Sequence, residues 1–83
     1  MKMLATISVK MKPGVLDAEG KNVQKSLDLL GLQVDSVAFV RTYQLLLERA
    51  TEQEVLAAAE LACDKLLANP VVHDYSIVLE KAD

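Results

Sequence analysis

The pair Asn69-Pro70 does most to narrow what this chain can fold into. Proline has no backbone N–H, and its ring pushes the preceding residue out of the helical region, so no helix runs through this pair. Upstream, Thr51-Glu52-Gln53-Glu54 is a capping box, in which the Thr hydroxyl and the Glu carboxylate each satisfy an orphan backbone donor. Behind it, Val55, Ala59, Ala62, Cys63 and Leu66 recur at helical spacing. A long helix is therefore bounded at both ends, from Glu52 to Leu67. Asn69, which tolerates the left-handed conformation, is expected to close it. Downstream, Tyr75, Ile77 and Leu79 alternate with Ser76, Val78 and Glu80, and that period of two predicts a strand over 75–81.

The first half repeats the pattern. Ala5, Ile7, Val9 and Met11 alternate with Leu4, Thr6, Ser8 and Lys10, predicting a strand over 4–11. Pro13-Gly14 has the order that a type II turn asks for. Asp17 is a good N-cap, and Val23, Leu27 and Leu30 form one stripe of a helix that Gly31 stops. Gly20 costs that helix about 1 kcal/mol relative to Ala, which marks an irregular first turn. Val34 to Val40 is rich in β-branched residues and reads as a second strand, and Tyr43 to Glu48 as a third. Arg41-Thr42 either joins them as a tight hairpin or lies within one continuous strand.

The order β-α-β-β-α-β over a single domain, residues 1–83, predicts an α+β fold. Right-handed crossovers favour a ferredoxin-like sandwich: a four-stranded antiparallel sheet with both helices on one face. Helices then cover one side only. The other side carries Leu4, Ala38, Val40, Leu46 and Val78, and an apolar sheet face of that kind is a partner surface. A chain of 83 residues is marginal alone, since about 60–65% of its unfolded surface is all it can bury. It is expected to form a dimer or a higher even oligomer through sheet surface or sheet edges.

Charge and composition exclude several functions. Residues 1–41 carry six basic and four acidic groups, and residues 42–83 carry three and eight. The acidic second half argues against nucleic acid, which needs clustered Lys and Arg. Aromatic residues make up only 4%, and the RNA-binding relatives of this topology need aromatics on the central strands. The apolar run at the N-terminus is too short and too interrupted for a signal peptide or a span, so no membrane role and a cytoplasmic location are expected. One cysteine permits no internal disulfide and fits a reducing compartment.

Chemistry is hard to find. Cys63 sits at helical spacing among Ala59, Ala62 and Leu66, which reads as a buried, inert thiol. His73 beside Asp74 resembles a base held by a carboxylate, but its place in a loop favours a hydrogen-bonding histidine at a surface or interface. One His and one Cys cannot make a zinc spacing, and three scattered glycines make no phosphate loop. No catalytic residue, cofactor site or metal site is expected on this chain.

The wording of three segments is more specific. VKMKPGVLDAEGKNVQKSL, VRTYQLLLE and ACDKLLANPVVHDYSI together resemble the PurS family, the small subunit of phosphoribosylformylglycinamidine synthase, from Val9 through Leu79. Ala18 stands where that family usually has Pro, His73 where it usually has an acidic residue, and Arg41 and Gln44 where Lys and Glu are commoner. The resemblance implies a non-catalytic role in purine biosynthesis, as a dimer that bridges the glutaminase subunit and the large synthetase subunit and supports ammonia transfer. The assembled ligase uses ATP, Mg²⁺ and glutamine, none of them bound by this chain. Arg41, His73 and Asp74 are then the polar candidates for contact with the larger subunits. A rival from another class is a ligand-sensing module of the ACT type, which shares the element order, with Gly14 in its ligand loop.

Overall fold

Strand β1, Lys2–Met11, is the axis of the molecule. The computed structural model describes residues 1–82. On either side of β1 lie β2, Arg41–Glu48, and β3, His73–Lys81, both antiparallel to it, in the order β2-β1-β3. The register sets Ile7 opposite Tyr43 on one side and Ile77 on the other. Antiparallel partners share a face, so Met3, Ala5, Ile7 and Val9 lie with Tyr43, Leu45, Leu47, Ile77 and Leu79. Leu4, Leu46 and Val78 lie on the opposite face, as expected from the alternation.

Helix α2, Glu52–Ala62, covers the first of these faces. Thr51 caps it, its Oγ1 accepting from the Glu54 N–H at 3.2 Å. Ala59 and Cys63 pack in one buried cluster with Ala5, Ile7 and Val9 of β1, and Val55 is fully buried as well. Burial of Ile7, Val9 and Val55 stabilises the fold by on the order of 1.5–3 kcal/mol each.

The end of α2 differs from expectation. Cys63–Leu67 is a π-helical turn, closed by the Ala68 N–H donating to the Cys63 carbonyl, five residues back, at 2.9 Å. The wider turn rotates the following side chains, so Leu67 packs on the core and Leu66, placed on the buried stripe by α-helical spacing, is 83% exposed. Asn69 does not enter the left-handed region, which among the described residues holds only Gly14 and Gly31. Its Oδ1 accepts from the Val71 N–H at 3.0 Å, and its carbonyl accepts from Val72 and His73. Pro70 thereby occupies the second position of a turn that feeds β3. The strand starts at His73, so His73 and Asp74 are strand residues and not loop residues.

Helix α1, Ala18–Leu29, begins where the turn predicts. Gly14 has φ +84, and the Val15 N–H donates to the Lys12 carbonyl at 3.0 Å, closing a type II turn. At the other end Gly31, φ +84, donates to Asp28 at 3.0 Å and Leu32 donates to Leu27 at 2.9 Å, the paired bonds of a Schellman motif.

The second expected strand does not form. Residues 32–40 run back along α1 without joining the sheet, because their polar groups are already committed: Gln24 Nε2 donates to the carbonyls of Val34 (3.2 Å) and Asp35 (3.3 Å), and the Phe39 N–H donates to Asp17 Oδ2 (2.8 Å). The sheet is therefore three-stranded, not four-stranded. Ala38 and Val40 are not sheet residues, and Arg41-Thr42 opens β2 with no hairpin before it. The expectation of two helices on one face also fails, for α2 packs on all three strands and α1 makes no comparable contact with any of them. Only Gly20 of α1 is buried.

Candidate functional site

The face of the sheet away from α2 is a strip graded along β1. Leu4 pairs with Leu46 and Glu80, Thr6 with Gln44 and Val78, and Ser8 with Thr42 and Ser76. Leu46 is 60% and Val78 55% exposed, while Leu4 between the neighbouring strands is half-buried. The strip thus has three apolar side chains toward one end. At the other end lie hydroxyls, with Ser8 Oγ 3.4 Å from Thr42 Oγ1. Of the five residues expected here, Leu4, Leu46 and Val78 are on the strip. Val40 reaches only its hydroxyl end, lining a shallow cleft of about 360 Å³ with Ser8, Lys10 and Asp74. Ala38 is exposed on the segment beside α1 and is not brought to this face.

A second cleft, of about 430 Å³, opens where the end of β1, the start of α1 and the starts of β2 and β3 converge. Arg41 and His73 line it, together with Asp17, Glu19, Leu16 and Phe39. Asp17 organises its wall. One carboxylate oxygen accepts from the Gly20 N–H at 2.9 Å, which caps α1, and the other accepts from Phe39. These two bonds, the Phe39 bond first and then Gly20, hold its carboxyl below the usual range, with Lys21 adding attraction. A residue singled out only as a cap therefore also fixes the segment leading into β2.

Of the three polar partner-contact candidates, the structure brings two together. Arg41 and His73 share the cleft, but Asp74, next along β3, points to the opposite face. His73 and Asp74 therefore do not form a base-and-carboxylate pair. The imidazole instead accepts from the Asn69 N–H at Nδ1, 2.8 Å away, and so carries its proton at Nε2. Its role is to tie the end of the helix to the start of β3.

Cys63 is fully buried under the sheet. Burial pushes its thiol up, and the neighbouring carboxylates of Asp64 and Glu60 push the same way, the reverse of what a nucleophilic thiolate needs. The Tyr75 phenol is also raised, by burial first and then by Asp64, Cys63 and Glu60. Among the described residues no three His, Cys, Asp or Glu side chains cluster as a metal ion requires. What the arrangement offers is surface: an open strip, a mixed-charge cleft and the apolar stripe of α1 that sequence periodicity located.

The PurS family model, described as phosphoribosylformylglycinamidine (FGAM) synthase, matches residues 4–81. The phosphoribosylformylglycinamidine synthase subunit PurS of Methanocaldococcus jannaschii is 43% identical over 82 residues, covering 95% of this chain and 96% of that protein. That of Archaeoglobus fulgidus is 39% identical over 77 residues, covering 92% and 96%. Among solved structures, M. jannaschii PurS superposes with a TM-score of 0.85 at 39% identity, covering 98% of this chain and 99% of that one. A chain from the structure of PurLQS from Thermotoga maritima superposes with a TM-score of 0.86 at 25% identity, covering 96% and 99%.

Proposed function

The chain belongs to the PurS family, and on that premise we propose that it is the non-catalytic small subunit of phosphoribosylformylglycinamidine synthase. In this reading it holds the glutaminase subunit against the large synthetase subunit, so that ammonia released from glutamine reaches the ligase site. The observation that carries the proposal is the end-to-end match, in sequence and in shape, to proteins named as subunits of that synthase and to a chain of PurLQS. Cys63 is buried and its thiol is raised, which suits a core residue and not a nucleophile. ATP, Mg²⁺ and glutamine are then used by the larger subunits, and this chain binds none of them. A cytoplasmic setting accompanies that role; among the described residues no helix is long and apolar enough to cross a membrane.

Self-association belongs to the same reading. Leu4, Leu46 and Val78 form an open patch that a second copy can cover about a two-fold axis, giving a dimer or, with a further surface, a higher even oligomer. Burying three such side chains contributes on the order of 5 kcal/mol per copy before the cost of association. Arg41 and His73 in the cleft, and Asp74 on the opposite face, remain the polar contacts proposed toward the larger subunits. The ACT-type alternative is not favoured, since every relative described above is a PurS protein.

Co-purification tests the proposal. A tagged synthetase subunit is expected to retain the glutaminase subunit only when this chain is added. Equal retention without it would overturn the bridging role.

A further inference from the structure

The cleft where the end of β1 meets the start of α1 holds donors for which the chain supplies no acceptor. Val9 lies opposite Arg41 and Met11 opposite His73, so Arg41 and His73 stand on the same side of the sheet, one on each strand flanking β1. With strands about 4.8 Å apart and a rise of about 3.4 Å per residue, their Cα atoms are about 12 Å apart. An extended Arg side chain and an imidazole can therefore converge on one group between them. Among the described residues no carboxylate pairs with Arg41, whereas Arg49, just past the far end of β2, turns back onto the Glu48 carbonyl at 2.8 Å. His73 Nδ1 is taken by the Asn69 N–H, which leaves the Nε2–H as its donor to the cleft. The acids nearby are mostly spent. Each Asp17 oxygen accepts one backbone N–H, from Gly20 and Phe39, and Asp74 lies on the other face. Glu19 alone remains, and it decides between occupants: its charge weakens the hold on a small free anion, so apolar contact must complete the binding. That contact is available on Leu16, 72% exposed, and Phe39, 42% exposed, both lining the cleft.

We propose that this cleft receives an Asp or Glu side chain, flanked by an apolar residue, from one of the larger subunits. The carboxylate accepts from the Arg41 guanidinium and from the His73 Nε2–H, and the apolar neighbour lies on Leu16 and Phe39. This rests on the reading that the chain bridges two subunits, and it adds the chemistry of one contact. A planar guanidinium suits a carboxylate because it donates two parallel hydrogen bonds to it. The cleft volume of about 430 Å³ has room for two such side chains. Charge agrees, since Lys10 also lines the cleft and the backbone of Lys12 is tied to Val72 beside it, while Glu48 and Glu80 lie toward the other end of the sheet. Position favours a larger subunit over a second copy. The apolar surfaces suited to a copy are Leu4, Leu46 and Val78 on the other face and the stripe from Val23 to Leu30 farther along α1, and both lie away from the cleft.

Two experiments on the full-length chain, with the purified synthetase and glutaminase subunits as the probe, test this. In the first, calorimetry measures affinity for the mixed subunits. Arg41→Gln is expected to bind about 10-fold more weakly or worse. His73→Asn keeps an acceptor for the Asn69 N–H but lacks the Nε2–H, and should bind about 3-fold more weakly or worse. Arg49→Gln removes the same charge elsewhere and should bind as the wild type does. Equal weakening by Arg49→Gln would reduce the contact to general charge and overturn the proposal, as would unchanged binding by Arg41→Gln. A wild type that binds neither subunit would overturn the bridging reading and the proposal together. In the second experiment, Arg41→Lys puts an amine in the cleft, and a carbodiimide condenses it with any carboxylate in contact, forming an amide with loss of water. The expected cross-link, mapped by mass spectrometry, is to an Asp or Glu of a larger subunit that has an apolar neighbour. A cross-link to Glu19, a cross-link to a second copy, or none while the subunits stay bound would overturn the proposal and leave the bridging reading standing.

Discussion

Replacing Gly20 with Ala reverses the usual sign of a helix substitution. In an exposed helix interior the change stabilises by about 1 kcal/mol, because Ala has the better propensity. Here a Cβ would meet the Val37 carbonyl oxygen well inside van der Waals contact and Asp17 Oδ2 at 2.7 Å. Val37 lies on backbone held by the neighbouring Val34, Asp35 and Phe39 bonds, so it cannot give way as a flexible side chain would. Relief requires the segment to lift off α1 or Asp17 to release its cap. Overpacking of this kind costs about 1–3 kcal/mol and a lost N-cap about 1 kcal/mol. Set against the propensity gain of about 1 kcal/mol, the net effect is a loss of up to about 2 kcal/mol. Urea unfolding at a fixed protein concentration reads this as a lower midpoint, with Gly20→Ser lowered similarly. A raised midpoint for Gly20→Ala would refute the close approach and return Gly20 to an ordinary helix position.

Other predictions follow from the same contacts. Leu46→Glu on the open strip should leave a folded protein that assembles more weakly by scattering, while Leu45→Glu, which packs on the core, should abolish cooperative unfolding because burying the charge costs several kcal/mol. Cys63 should resist alkylation at pH 8 in the native protein and react only on unfolding; rapid native labelling would show that α2 opens. Asp17 has a folded-state pKa below its ordinary value of 3.8, so its contribution is present above that value and is lost as pH falls through the folded-state pKa. Acid titration of Asp17→Asn should therefore lack part of the wild type's loss of stability below that point, and identical acid profiles would remove the carboxylate from the account.

The strands and caps were legible because each has a short-range cause. The alternation of β1 set which residues face α2, and Pro13-Gly14, Asp17, Gly31 and Thr51 placed the turns and helix ends where they occur. Residues 34–40 were misread because Val34, Val37 and Val40 have strand propensity, while the partners of this backbone are Asp17 and Gln24, distant in sequence. The π turn after Ala62 escaped for a different reason. It changes the number of residues per turn, so a 3.6-residue period carried Leu66 inward when it points out. The stripe of α1 was found by periodicity, but periodicity says only that a helix has an apolar side and not which molecule covers it. At the candidate site, Leu4, Leu46 and Val78 were legible as one face. The cleft shared by Arg41 and His73 depends on tertiary placement that no local pattern encodes.

The role proposed for the chain is assembly. It is tested most directly by measuring amidine formation by the synthetase and glutaminase subunits with and without this chain, using glutamine or ammonia as the nitrogen source. Without the chain, the reaction fed by glutamine should fall to background while the reaction fed by ammonia persists. Equal loss of both reactions would mean that the chain takes part in the ligase chemistry, and an undiminished glutamine reaction would mean that it bridges nothing.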